Sequence, residues 1–239
     1  MGNKDLTVIG HLEELRRRII TCLVFIVLGC ICVFPFSGPL LKILKFPAQG
    51  MIDKLVFFSP QEAFMVYFKI AMASGFVLSI PIILYQIWAF VSPAIGGRFK
   101  RYSFLFIFFS FLAFVSGALF AYFFLLPAAL KFLLSFGRGE LEPVISVGKY
   151  ISFAVAIILG TGLVFEMPMA SFILSKAGII NHRFLRKKFK YAVLVIFIAA
   201  AIITPTPDVI NMTLLAIPML LLYEMSIWVS FFSRKSFPR

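Results

Sequence analysis

Acidic residues are scarce in this 239-residue chain: ten Asp and Glu stand against 23 Lys and Arg, and charged residues of both signs make up only 14%. A soluble globular domain carries about 25% charged residues, so a water-facing surface cannot be assembled from this composition. There are only two histidines, three cysteines and two tryptophans. The sequence has no HExxH, GxSxG or Walker A motif and no acidic cluster suited to a metal, which leaves hydrolytic, nucleotide-driven and metal-dependent chemistry without its residues. No cofactor, metal site or catalytic residue is expected, and the chain is not read as an enzyme. Cys22, Cys30 and Cys32 share one apolar run without CxxC spacing, which marks them as packing residues rather than a disulfide or metal set.

What is abundant is apolar: 62% of residues are hydrophobic, 31 are Phe, and the mean hydropathy is +1.03. The composition is that of a membrane protein. Its net charge of +13 then speaks of topology and anionic lipid before nucleic acid. Six apolar runs are legible, over residues 19–36, 64–91, 102–126, 150–175, 191–203 and 209–232. Each is expected to be helical, because in lipid every backbone group must find its partner inside its own segment. The expectation is an all-α, single-domain protein over residues 1–239 with kinked helices around a concave face. The first run follows a polar segment and lacks a small-residue cleavage site, so it reads as a retained helix rather than a signal peptide. The fifth is short, about 20 Å of helix against a hydrocarbon core near 30 Å. The turn at residues 204–208 folds it back on the sixth.

Lys and Arg are distributed unevenly between alternate loops. Sixteen fall on the side of the two termini and six on the opposite side, where five acids offset them. By the positive-inside rule both termini are cytoplasmic. On the outer side, Ser37 and Pro39 open a candidate interfacial helix bearing Lys42 and Lys45, with Ser37 as its cap. Residues 128–147 extend the third span, and the two loops together form an outer cap.

Few polar residues interrupt the spans. Glu166 lies deep in the fourth run, nine residues from its nearer end; an ionised carboxylate at that depth is costly, so it is either neutral or faces water in a hollow. Lys69 and Glu224 lie closer to span ends, where structural roles and snorkelling suffice. Pro81, Pro168 and Pro218 fall inside the second, fourth and sixth runs and are expected to bend them. Before the first run, Glu13 faces Arg17 and Glu14 faces Arg18 at i,i+4. This reads either as a self-neutralised helix start or as a carboxylate site for a guanidinium.

The segment His11-Leu12-Glu13-Glu14-Leu15-Arg16 resembles the HLxELR start of the TatC family, the multispanning subunit of the twin-arginine protein translocase. The resemblance continues through residues 81–90, Phe120-Ala121-Tyr122-Phe123, Phe165-Glu166-Met167-Pro168, Leu185-Arg186-Lys187-Lys188, residues 204–208 and residues 214–218. It covers nearly the whole chain. It implies a bacterial cytoplasmic-membrane receptor for twin-arginine signal peptides of folded precursors. Such a receptor works with the single-span TatA and TatB, assembles as a homo-oligomer within the complex, and draws on the proton-motive force. By position, the resemblance assigns Glu14 to the signal arginines, with Arg16, Phe90 and Arg101 beside it and Glu13 as a substitute acid. Tyr122 and Glu166 fall on the concave face, Pro47 and Asp208 on the outer side. Two positions depart from the family pattern: Phe99 stands where an acidic loop residue is usual, and Met212 where glutamine is common. The competing reading is a small proton-coupled transporter with Glu166 as its relay.

Overall fold

The computed structural model describes residues 8–52, 54–95, 103–135, 144–204 and 209–235. Helix α1 (Val8–Val33) begins well before the first apolar run and ends in a 3-10 turn, Phe34–Phe36. Its polar first half, including His11, Glu14 and Arg18, is therefore helical and continuous with the apolar half. Helix α2 (Ser37–Lys45) follows at once and puts Lys42 and Lys45 in its last turn, where cations complement the helix dipole. The expected Ser37 cap is not made: Ser37 donates backwards to the Phe34 carbonyl at 2.6 Å, and Phe36 occupies the cap position.

Strand β1 (Leu55–Val56) leads to α3 (Pro60–Ile95), which runs 36 residues without a break. Lys69 and Pro81 leave it continuous. The third span comprises α4 (Ser103–Phe120), one π-helical stretch (Ala121–Leu125) and α5 (Leu126–Leu133). The wide turn accommodates Pro127, whose ring has no N–H to offer the preceding carbonyls, so the span does not stop there. Strand β2 (Ile145–Ser146) pairs in parallel with β1 in the register Leu55↔Ile145 and Val56↔Ser146. This short ladder is an addition to the expected all-α architecture, and it ties the two outer loops together.

The fourth span is two helices, not one. Helix α6 (Val147–Val164) ends at Phe165–Glu166, and α7 (Met167–Lys176) begins with Pro168 inside its first turn. Pro168 cannot donate to the Val164 carbonyl, so the helix breaks where a bend was expected. Pro218, by contrast, lies within an unbroken α10 (Val209–Lys235). Between them come the short α8 (His182–Lys187), capped by Asn181 through Phe184 N at 2.8 Å, and α9 (Phe189–Ile203). With 15 residues, α9 rises about 22 Å.

Among the described residues five helices, counting α4–α5 and α6–α7 as one each, are long and apolar enough to cross a membrane, and α9 is the shorter sixth. The main core lies among α5, α6, α9 and α10 and includes Leu126, Ile151, Ile157 and Leu215. Smaller cores join α3 to α4 through Ile80, Leu84 and Phe114, and α3 to α7 through Trp88, Phe106 and Ile173. Helix α1 stays outside all of these. It lies on α3 through a crossing at Gly29 and Gly75, where a Cβ on Gly75 would stand 2.8 Å from the Cys30 Cα. Small residues let the two backbones touch without side chains between them.

Candidate functional site

The polar start of α1 lies beside the last turns of α3. Arg18, a partly buried residue, donates from Nε to Glu14 Oε1 at 3.0 Å and from a second nitrogen to the same oxygen. Its remaining terminal nitrogen donates to Gln86 Oε1 on α3 at 3.0 Å. One guanidinium thus holds the first turns of α1 to α3 while neutralising Glu14. The other carboxylate oxygen, Glu14 Oε2, stands 3.9 Å from His11 Nδ1, beyond hydrogen-bonding range. The His11 ring in turn lies against Phe90, with centroids 5.4 Å apart.

Glu14, Arg18 and Gln86 border an open groove of about 930 Å³ whose walls also include Glu13, Arg16 and Arg17; Phe90 reaches it only through the His11 ring. The i,i+4 pair Glu14–Arg18 forms as its spacing predicts. Among the described residues Glu13 and Arg17 do not pair; both are exposed. Among the described residues the groove therefore carries more positive than negative charge, with one Glu14 oxygen making no hydrogen bond and Glu13 unpaired. The structure brings together Glu13, Glu14, Arg16 and Phe90, and adds Arg18, His11 and Gln86. Arg101 and Phe99 lie outside the described residues, as does Asp208.

None of the remaining candidates lines this groove. Glu166 sits at the α6–α7 break, its carboxyl facing the Ser110 hydroxyl of α4. Among the described residues neither Glu166 Oε1 nor Ser110 Oγ has an aligned hydrogen bond, and both are buried. Tyr122 donates to the Ile43 carbonyl at 2.8 Å and borders an apolar cavity of about 810 Å³ beneath α2. Pro47 is buried in the 3-10 turn Phe46–Ala48, next to the Leu44 carbonyl that accepts from Tyr150 at 2.6 Å. Lys69 does not snorkel free; it donates to Ser152 on α6 at 2.7 Å. Glu224 takes Arg186 of α8 through both carboxylate oxygens at 2.9 Å.

Sequence reasoning passed over Gln86, although a polar residue near the end of a long apolar helix was the available signal. It also passed over Glu62, whose carboxylate accepts from Gly148 N at 2.8 Å, from Phe58 N at 2.9 Å and from the Ser146 hydroxyl.

A family model described as Sec-independent protein translocase protein (TatC) matches residues 10–218, from the polar start of α1 to the middle of α10. The chain belongs to the TatC family. It is 44% identical over 232 residues to the TatC of Carboxydothermus hydrogenoformans, across 97% of this chain and 96% of that protein. It is 41% identical over 223 residues to the TatC of Aquifex aeolicus, covering 92% of each. A crystal structure described as the twin arginine translocase receptor TatC superposes with a TM-score of 0.85 at 39% identity, over 94% of this chain and 99% of that one. TatC membership makes the chain an integral membrane protein of protein translocation, not an enzyme, and disfavours the small-transporter reading. It also counts the short α9 as the sixth membrane helix of the TatC fold.

Proposed function

We propose that the chain is the receptor subunit of a twin-arginine translocase, and that the groove at the start of α1 receives the paired arginines of a signal peptide from the cytoplasm. The observation that carries this reading is the Arg18 fork, shared between Glu14 and Gln86 while Glu14 Oε2 stays open. An arriving guanidinium takes Oε2, or replaces Arg18 on Glu14 while Gln86 keeps Arg18 in place. The exchange swaps one charge-assisted pair for another, so little has to be desolvated anew.

The net positive charge of the groove sharpens the choice of ligand. A lysine ammonium is a compact point charge that meets Arg16, Arg17 and Arg18 as repulsion. A guanidinium meets the same charges but gains planar, two-pronged bonds to a carboxylate, and it stacks on aromatic rings such as Phe90. Geometry, more than field, would then select arginine. The excess of Lys and Arg on the side of both termini supports an N-in, C-in orientation, which puts this groove on the cytoplasmic face.

Single-span partners, TatA and TatB in the family pattern, fit the exposed stripe of α9. Tyr191, Leu194, Val195, Ile198 and Ile202 are all exposed there at helical spacing. The export step driven by the proton-motive force belongs to that assembly. The reading is tested by photo-cross-linking the membrane-embedded protein to a twin-arginine signal peptide and to its twin-lysine variant. Capture of the arginine peptide alone, at Glu13, Glu14 or Phe90, supports it; equal capture of both peptides counts against it.

A further inference from the structure

At the opposite end of the molecule, α9 stops far short of its neighbour. A Cβ on Gly160 would stand 2.7 Å from the Ile203 side chain, so α9 ends level with Gly160, thirteen residues along α6 from Val147. Among the described residues, that leaves about 20 Å of the α6 flank beyond α9 without a covering helix. A groove of about 910 Å³ runs along it, walled by Leu130 and Leu133 of α5, Phe153 and Ala156 of α6, and Ile202 and Ile203 of α9.

Two lysines stand at the head of this groove. Lys149 is exposed in the first turn of α6, and Lys69, also exposed, reaches across from α3 to Ser152. Lys69 uses one N–H on that hydroxyl, which leaves two donors. Glu62 borders the same groove, but its carboxylate is engaged by Gly148 N, Phe58 N and the Ser146 hydroxyl. Those neutral donors do not cancel the Glu62 charge, which Lys149 also feels; among the described residues two lysines against one carboxylate leave the head of the groove with a single net positive charge, and its length is apolar. Its position is equally telling: Lys69 lies nine residues into α3, about 13 Å along the helix from Pro60. An anion held there is drawn in from the membrane surface, toward the level at which α9 ends.

We propose that this groove holds one anionic phospholipid of the leaflet facing the β1–β2 cap. Its phosphate binds the Lys69 and Lys149 ammonium groups, and one acyl chain lies against Phe153, Ala156 and Ile203. The lysines supply charge complementarity, and the chain covers the flank that the short α9 leaves open. A lipid so held thins the leaflet locally to the length of α9. The proposal does not depend on the signal-peptide reading, since no residue is shared between the two sites.

The test is native mass spectrometry of the full-length protein in detergent, titrated with phosphatidylglycerol and with phosphatidylcholine. The wild type should retain one phosphatidylglycerol in preference to phosphatidylcholine. Lys69→Gln and Lys149→Gln should each lower that retention by about fivefold, while Lys42→Gln/Lys45→Gln on α2 leaves it unchanged. Ala156→Trp should displace the chain and lower retention with both lysines intact. Inorganic phosphate in millimolar excess should compete weakly, because it offers no chain; full displacement by phosphate would mean an anion site only. Equal retention of the two lipids, or wild-type retention by the Lys69→Gln/Lys149→Gln protein, overturns the proposal. So does disulfide cross-linking of Ala156→Cys to a second copy under oxidising conditions, which would put protein rather than lipid in the groove.

Discussion

The two ends of α3 each hold a carboxylate, and they hold it differently. At one end Glu62 accepts two backbone N–H groups and a hydroxyl from the β1–α3 turn and the start of α6. At the other, Glu14 is held by side chains alone, and among the described residues one of its oxygens makes no hydrogen bond, with His11 Nδ1 standing 3.9 Å away. Backbone donors are fixed by the fold and cannot leave without unpicking it. Side-chain donors exchange. The first arrangement is suited to a clasp and the second to a docking site, though both use the same chemistry. The strand pair and Tyr150–Leu44 bond around Glu62 reinforce its end, while α1 is largely exposed along its apolar length.

The comparison is broken most severely by separating α1 from α3. Gly75→Val places a branched side chain against the Cys30 backbone, which neither helix can yield without moving. It should cost more than about 3 kcal/mol and reduce the yield of monodisperse protein in detergent. Next comes the clasp. Glu62→Gln retains one acceptor and loses the charge that three donors converge on, so it should lower the thermal unfolding midpoint more than Glu14→Gln does. Glu14→Gln, for its part, should leave the midpoint nearly unchanged and act on peptide binding. A larger midpoint loss for Glu14→Gln would reverse the assignment of clasp and dock.

A third carboxylate sharpens the contrast from inside the membrane. Glu166→Gln keeps a polar head facing Ser110 and should leave export of a twin-arginine reporter largely intact. Glu166→Leu leaves the buried Ser110 hydroxyl facing carbon, should cost about 1 kcal/mol, and should impair export. Loss of export with Gln at normal protein levels would instead require the residue to ionise. The smallest effect belongs to Arg186–Glu224, whose side chains are 64% and 37% exposed. Arg186→Ala should change stability by less than about 1 kcal/mol, within the range of exposed ion pairs.

How much of this was legible beforehand follows the range of the interactions. Hydropathy located every span, because burial in lipid is decided residue by residue. Helix spacing gave Glu14–Arg18, four residues apart. It could not give Arg18–Gln86, 68 residues apart, or the Glu62 clasp to α6, 86 residues away, since both depend on how helices lie against each other. Proline identity alone did not separate Pro168, which ends α6, from Pro81 and Pro218, which leave their helices whole. Neighbouring packing decides that. The Ser37 cap failed because the preceding 3-10 turn presents the Phe34 carbonyl first. Pairing of the outer loops by β1 and β2 had no signal beyond two short apolar dipeptides.

Glu14 is proposed here as an exchangeable partner for a signal arginine. A double-mutant cycle tests it most directly, with Glu14→Ala in the membrane-embedded protein crossed against each arginine of the signal peptide changed to lysine. Glu14 is only partly buried, at 26% exposure, so its removal should weaken binding by about 1–2 kcal/mol, between exposed and fully desolvated pairs. A coupling of about 1 kcal/mol or more with one of the two peptide arginines is expected. Additive losses, with no coupling to either arginine for Glu14→Ala or for Glu13→Ala/Glu14→Ala, would contradict it.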